Sequence, residues 1–316
     1  MTGTTDNLIY PSLKKVKGIL ENPQIRPALE EGSFVGDDKF GKASKYDTGL
    51  APSIALNDSN VSVEVHQSEW QDTLWYHVGK IEGNKINWGG SIQYDTGINP
   101  SVTINNQRLV VEVHQSEGLK TNLWYHVGRV EGNKINWGGS IQYDNGANPS
   151  VAITDDGLVV EVHKSETWNT LWYHVGRVEG NKINWGGSIQ YDSGVNPSVA
   201  ITDDGLVVEV HKSETWDTLW YHVGRVEGNK INWGGSIQYD KGINPSIAIT
   251  NDGLVVEVHQ SEKDRTLWCH IGRVEDSKIN WGEGRQYANG SSPRVACNGE
   301  LAVETHMANT DEHEEL

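Results

Sequence analysis

The stretch EVHKSETWNTLWYHVGRVEGNKINWGGSIQYD runs from Glu161 to Asp192, and it recurs from Glu209 to Asp240 with one change, Asn169 to Asp217. It belongs to a repeat of about 48 residues in which a tyrosine is followed by glycine three residues later and by proline six residues later. A period of this length lies between those of two repeats that build four-stranded propeller blades. The marker tyrosines are Tyr46, Tyr94, Tyr143, Tyr191, Tyr239 and Tyr287.

Each unit contains four runs that are typical of β-strands. In the third unit they are PSVAIT, LVVEVH, TLWYHVGRV and INWGGSIQY, and the turn Asp155–Gly157 separates the first two. Aspartate followed by glycine between apolar runs is a hairpin signal, and aromatic and β-branched residues favour strands. The short run with serine and alanine suits the crowded strand next to a propeller axis. The sequence therefore predicts an all-β protein, a six-bladed β-propeller of four-stranded blades.

The two ends of the chain are predicted to complete one blade together. The LWYHVG run occurs only five times, and the sixth unit stops after LAVETH, which ends at His306. The segment from Phe40 to Asp47 aligns with WGGSIQYD, and that from Asn7 to Tyr10 aligns loosely with NLWY. We therefore expect a ring closed by N- and C-terminal strands. The predicted divisions are an N-terminal segment at 1–33, a propeller at 34–306 and an acidic tail at 307–316.

A Glu-x-His pair is present in all six units, including the divergent sixth unit with Glu304 and His306. Residues two apart on a strand point to the same face. Three interpretations stay open. In the first, the glutamate and the histidine satisfy each other's hydrogen bonds between blades. In the second, they line a sugar-binding pocket between blades. In the third, they bind a metal. The last pattern is generic, and we predict no metal or other cofactor.

Tryptophan is abundant, with 13 residues against 2 phenylalanines. Five lie in the LWY or LWC run and five in INWG; Trp70, Trp168 and Trp216 lie in polar loops. These three are either stacking platforms or lids over neighbouring hairpins. The sequence predicts a carbohydrate site at Glu64, His66, Trp75, His77, Trp88, Glu112, His114, Trp124, His126, Trp137, Glu161, His163, Trp172, His174, Trp185, Glu209, His211, Trp220, His222, Trp233, Glu257, His259, Trp268 and His270.

Charge and motifs exclude several classes of function. A net charge of −17 argues against nucleic acid and against an anionic membrane surface. No nucleophile elbow, P-loop or HExxH motif occurs, and the acids are shared by all units, so we predict no enzyme. We also expect no membrane insertion and no signal peptide, which leaves a cytoplasmic location or release by another route.

The string YDSGVNPSVAITDDGLVVEVHKSE, from Tyr191, with LWYHVGRV from Leu219, resembles the repeat of a family of bacterial insecticidal-toxin-like proteins. The similarity covers nearly all of Tyr46 to His306. Where this chain has LWYHVG, that family has LWYRVG. The architecture is also similar to lectin propellers of the tectonin and fucose-binding types, although their sugar-binding motifs are absent. The resemblance implies a carbohydrate-recognising protein of attack or defence.

We therefore expect a multivalent lectin that binds glycans or glycoproteins, with oligomerisation open. A ring of similar units suits repeated weak binding, because avidity multiplies modest affinities. The alternatives are a non-enzymatic scaffold that binds protein, or a component of an insecticidal toxin. A glycosidase is a more distant alternative.

Overall fold

The computed structural model describes residues 8–15, 43–83, 85–118 and 121–308, with the backbone alone for residues 8–15. All regular elements in these ranges are β-strands. No helix there is long and apolar enough to cross a membrane. The predicted division at residue 33 and all but two residues of the predicted acidic tail lie outside the described ranges.

Five consecutive repeats each form one antiparallel sheet of five strands, called here repeat blades one to five. The first strands are β3 (Leu50–Leu56), β8 (Ile98–Ile104), β13 (Ala147–Ile153), β18 (Val195–Ile201) and β23 (Ile243–Ile249). The second strands are β4 (Val61–Gln67), β9 (Leu109–Gln115), β14 (Leu158–Lys164), β19 (Leu206–Lys212) and β24 (Leu254–Gln260). The third strands are β5 (Thr73–Glu82), β10 (Asn122–Glu131), β15 (Thr170–Glu179), β20 (Thr218–Glu227) and β25 (Thr266–Glu275).

Two short strands then pair with different parts of the long third strand. The fourth strands are β6 (Lys85–Trp88), β11 (Lys134–Trp137), β16 (Lys182–Trp185), β21 (Lys230–Trp233) and β26 (Lys278–Trp281). The fifth strands are β7 (Ile92–Thr96), β12 (Ile141–Asn145), β17 (Ile189–Ser193), β22 (Ile237–Lys241) and β27 (Arg285–Asn289).

The remaining four strands form what we call the terminal sheet. It contains β28 (Ser291–Cys297), β29 (Leu301–Met307), β1 (Leu8–Lys15) and β2 (Asp47–Thr48). Strand β1 lies between β29 and β2, so both ends of the described chain meet in this sheet. The observed register pairs Tyr10 with His306. The alignment of residues 7–10 with NLWY had predicted that Tyr10 lies one residue further along the strand than the position it occupies.

In two respects the predicted six-bladed propeller of four-stranded blades is wrong. The propeller has five blades built from whole repeats, and each has five strands. The sixth unit supplies only β28 and β29, and β1 and β2 complete the terminal sheet from the other end of the chain. The strand number differs because Gly-Gly-Ser divides the INWGGSIQY run, so each half pairs separately with the third strand.

The first strands are innermost, as their small residues predicted. Neighbouring first strands contact one another in the order β3, β8, β13, β18, β23 and β28, and β28 contacts β3. They surround a central cavity of about 170 Å³. Ser150 is one of its lining residues, and its hydroxyl accepts a hydrogen bond from the amide of Val199 in the next blade.

The apolar core lies between blades rather than within one sheet. Val160 and Val162 of blade three are fully buried in one cluster with Val199 and Val207 of blade four. Glu161 and His163 alternate with these valines along β14, so they point to the opposite face, toward blade two. Each blade therefore has an apolar face against the following blade and a polar face against the preceding one.

Candidate functional site

The polar face of each blade carries four of the predicted site residues. In blade three, the register places Glu161 opposite His174, and His163 opposite Trp172. Directly opposite residues on antiparallel strands are close neighbours on the same face. The structure therefore brings together the Glu-x-His pair with the tryptophan and histidine of LWYH, and the same register recurs in the other repeat blades.

Glu161 is fully buried and is held from two sides. His163 Nδ1 donates to its carboxylate at 3.2 and 3.1 Å. The Tyr143 hydroxyl of the preceding blade donates to Oε1 at 2.9 Å. Burial, followed by the charge of Glu161, raises the pKa of Tyr143 well above its usual value, so the hydroxyl remains a donor. The glutamate thus serves as a buried acceptor between blades.

An aspartate that follows the marker tyrosine joins this network from the preceding blade. Asp144 Oδ2 lies 2.8 Å from His174 Nε2 and 3.7 Å from His163 Nε2. His174 Nδ1 donates to the Gly186 carbonyl at 3.1 Å. A carbonyl and an ionised carboxylate only accept hydrogen bonds, so both nitrogens of His174 must carry protons. This geometry makes His174 an imidazolium.

The titration of these groups agrees with an ion pair across the blade interface. Burial alone would lower the pKa of His174, but the hydrogen bond to Asp144 and the charge of Glu161 outweigh it and raise the pKa. Burial alone would raise the pKa of Asp144, but hydrogen bonds from His174 and the Asn145 amide lower it to about 2. Asp144 is therefore ionised near neutral pH, and the raised pKa of His174 favours its protonated form.

Five such clusters occur among the residues with described side chains. In each, one oxygen or nitrogen atom from the aspartate and from each of two histidines lies within 4.8 Å of the others. The clusters are Asp47/His66/His77, Asp95/His114/His126, Asp144/His163/His174, Asp192/His211/His222 and Asp240/His259/His270.

Among the side chains that the structure describes, the interface between blade five and the terminal sheet does not show this combination. Ala288 stands where the other interfaces have aspartate, since it pairs with Leu267 as Asp192 pairs with Leu171. Ser12 occupies the register position opposite Glu304 that a histidine occupies opposite Glu161. Glu304 and His306 remain paired at 3.1 Å.

The ten tryptophans of the strands, nine of which were predicted site residues, fall into two environments. Trp185 of the INWG run stacks on Tyr143 of the preceding blade, with ring centroids 5.4 Å apart, and its indole Nε1 is buried. Trp88, Trp137, Trp233 and Trp281 stack on tyrosine in the same way. The structure thus uses this set to pack blade against blade.

Two tryptophans of the LWY run, Trp75 and Trp124, instead lie beside pockets at the blade interfaces. One pocket of about 290 Å³ is lined by Asp95, His114, Trp124, Ser140 and other polar residues. A second, of about 590 Å³, is lined by Asp47, His66, Trp75 and Trp70 among others. Each therefore combines an indole with carboxylate, imidazole and hydroxyl groups.

The loop tryptophans stand in solvent. The exposed fractions of Trp70, Trp168 and Trp216 are 73, 71 and 71 %. So much exposed surface does not fit a lid over a hairpin. Trp70 borders the pocket beside Trp75, so this loop and its interface pocket are neighbours.

The aspartates were missed by the sequence analysis, although the repeat contained a usable signal. Asp follows the marker tyrosine in five units and is replaced by Ala288 in the sixth. The histidine of the LWYH or LWCH run is likewise present five times. Two residue types that are retained and lost together across copies indicate one shared site, even when they are distant in sequence.

The glycine three residues after the marker tyrosine leaves room for the buried imidazole. A Cβ on Gly194 would lie 2.6 Å from His211 Cδ2 and 2.8 Å from the Lys212 carbonyl oxygen. We expect Gly194→Ala to lower the free energy of unfolding by about 1–3 kcal/mol through overpacking. Gly187→Ala is the matched control, because a Cβ there meets nothing within 4 Å. Urea denaturation measures both, and equal midpoints would contradict the steric explanation.

Comparisons with solved structures agree with the propeller fold. Hydrazine synthase of Kuenenia stuttgartiensis aligns with a TM-score of 0.55 and 13 % identity, over 88 % of this chain and 89 % of that one. For a putative 6-phosphogluconolactonase from Bacteroides uniformis, the TM-score is 0.53 at 10 % identity, over 90 and 84 % of the chains. The NanB sialidase of Streptococcus pneumoniae gives 0.56 at 8 % identity, over 78 and 62 %.

At such identities the likeness concerns the fold alone. No protein-family model matches the chain, and no curated protein matches it. The toxin-like and lectin resemblances of the repeat therefore receive no support from these comparisons. The fold and the blade interfaces define the class of protein, an all-β propeller with a repeated polar site between blades.

Proposed function

We propose that the protein is a non-catalytic, multivalent carbohydrate-binding protein whose sites are the interface pockets beside the LWY tryptophans. The observation that carries this proposal is the composition of those pockets, in which Trp124 lies next to Asp95, His114 and Ser140. Sugars present hydroxyl groups to polar side chains and C–H groups to an aromatic face. The pocket volumes fall near the lower part of the usual range for small-molecule sites.

The indole is oriented before any ligand arrives. Trp75 Nε1 donates to Thr73 Oγ1 at 3.0 Å, and the same bond fixes Trp172, Trp220 and Trp268. A preorganised ring loses little conformational entropy on binding. Glu64, Glu112, Glu161, Glu209 and Glu257 are fully buried, so in this proposal they position the histidines rather than contact sugar.

The test compares glycan binding of the wild type with that of a variant in which Trp75, Trp124, Trp172, Trp220 and Trp268 are all replaced by alanine. We expect at least a tenfold loss of glycan-array signal and of haemagglutination, because every stacking surface is removed and avidity falls with it. The control replaces exposed Lys182 by alanine. Circular dichroism must show that both variants are folded. A wild type without array hits or haemagglutination, or a folded five-site variant with full binding, would refute the proposal.

A second candidate is a protein-interaction scaffold, and the exposed Trp168 and Trp216 favour it. Exposed tryptophans are enriched at protein contacts. This candidate would replace the first if the glycan array is silent while a purified protein partner binds the wild type and loses affinity on Trp168→Ala with Trp216→Ala. The catalytic alternative is addressed by a panel of chromogenic glycosides, for which we expect no turnover.

A further inference from the structure

We propose that each of the five Asp/His/His clusters is a binding site for a divalent transition-metal ion of the zinc class. In the cluster between blades two and three, the ligand atoms are Asp144 Oδ2, His163 Nε2 and His174 Nε2. Imidazole nitrogen together with carboxylate oxygen is a donor set that suits zinc and its neighbours, whereas magnesium and calcium take oxygen ligands. This proposal does not depend on the carbohydrate-binding function.

The first argument is the spacing of the three atoms. Zinc holds nitrogen and oxygen ligands at about 2.0–2.2 Å, so two ligands of a tetrahedral ion lie about 3.4 Å apart. The carboxylate oxygen of Asp144 is 2.8 Å from one imidazole nitrogen and 3.7 Å from the other, values on either side of that spacing. Small side-chain movements would therefore admit an ion.

The second argument is that each ligand is held through its other polar atom. His163 Nδ1 donates to the buried carboxylate of Glu161, and His174 Nδ1 donates to the Gly186 carbonyl. Asp144 Oδ1 accepts from the Asn145 amide at 2.8 Å. Histidines that bind metals almost always donate their second nitrogen to a carboxylate or a carbonyl. This arrangement leaves Oδ2 and both Nε2 atoms within 4.8 Å of one another, each on a side chain that is held in place.

The third argument is access and charge. The equivalent aspartate and histidine at the preceding interface, Asp95 and His114, line a pocket that opens to solvent, which gives an ion an entry path. In the metal-free protein a proton on His174 Nε2 occupies the place between this nitrogen and Asp144. The ion would displace that proton and leave both histidines neutral, each with a lone pair toward the metal.

The chain also carries an internal negative control. At the interface between blade five and the terminal sheet, Ala288 replaces the aspartate, and Ser12 holds the register position of the second histidine. The Glu304–His306 pair and the hydrogen bond from the Tyr287 hydroxyl to Glu304 are retained there. Among the residues with described side chains, the proposal therefore requires five ions and not six.

The test is zinc titration of chelator-stripped protein by calorimetry, with the bound metal counted by elemental analysis after gel filtration. We expect five zinc ions for the wild type, four for Asp144→Asn, and five for His306→Gln, which alters the incomplete interface. Magnesium and calcium should give no comparable binding. Cobalt in place of zinc should give the visible absorption of a four-coordinate site. Circular dichroism checks that each variant is folded.

Two outcomes would overturn the proposal: a wild type that retains less than one zinc ion per chain, or equal zinc counts in the wild type and folded Asp144→Asn. If Asp144→Asn does not fold, X-ray absorption of zinc-loaded wild type decides, since the site requires two imidazoles per ion. Glycan binding measured with chelator and with zinc separates the two proposals. Sugar binding can fail while zinc binding persists, and the reverse can also occur.

Discussion

Replacing Glu161 by alanine is expected to lower the free energy of unfolding by about 3–5 kcal/mol, because it leaves buried polar partners without their acceptor. The carboxylate accepts from His163 and from the Tyr143 hydroxyl, and it has no exposed surface. One substitution therefore breaks a contact within blade three and another to blade two. The measurement is urea denaturation followed by far-ultraviolet circular dichroism.

Two variants make this result specific. Glu166 lies in the exposed loop of the same blade, and Glu166→Ala should change stability by no more than about 0.5 kcal/mol. Glu161→Gln keeps a carbonyl oxygen that can accept from the tyrosine, so its free energy of unfolding should lie between those of Glu161→Ala and Glu166→Ala. Equal midpoints for Glu161→Ala and Glu166→Ala would show that the buried network adds nothing to stability.

The contrast between Glu161 and Glu166 also shows what the sequence could predict. Comparison of the copies identified the Glu-x-His pair as constrained, and strand alternation placed its two members on one face. It left open whether a ligand or the neighbouring blade imposes the constraint. That answer depends on which residue of the preceding blade faces the pair, and Tyr143 and Asp144 became visible only once the blades were assembled.

The two sets of strand tryptophans show the same limit. Trp172 and Trp185 both lie on strands with aromatic and polar residues, so their local patterns are alike. The two sets differ in position across the blade, since Trp185 stacks on a tyrosine of the preceding blade whereas Trp75 and Trp124 of the LWY set border pockets. A pattern along one strand cannot distinguish these positions, because the packing of neighbouring sheets determines them.

Stability should be greatest at mildly acidic pH and should fall as the pH rises toward 9. The raised pKa values of His77, His126, His174, His222 and His270 cause this. A histidine whose pKa is higher in the folded than in the unfolded protein stabilises fully below the unfolded value of about 6.5. This stabilisation is lost as the pH passes through the folded value. The five interfaces contribute in the same direction, so their losses add.

The aspartates set the acidic limit of the pH range in which the protein is most stable. Hydrogen bonds from histidine and from the backbone outweigh burial and lower the pKa of Asp47, Asp95, Asp144 and Asp192 to about 2. Their stabilisation is fully present above the unfolded value of about 3.9 and is lost as the pH falls toward 2. The melting temperature of chelator-treated protein should therefore be highest between roughly pH 4 and 6.5.

Repulsion within a chain of net charge −17 could also destabilise the protein at alkaline pH, and salt distinguishes the two causes. Exposed charges are screened at high ionic strength, whereas buried pairs are screened much less. The alkaline decrease in melting temperature should thus persist in 1 M salt, where the Debye length is about 3 Å. Asp144→Asn removes one of five ion pairs and should reduce the decrease by about one fifth. A melting temperature that stays level or rises between pH 6 and 9 would contradict the assignment of His174 and its counterparts as imidazolium ions.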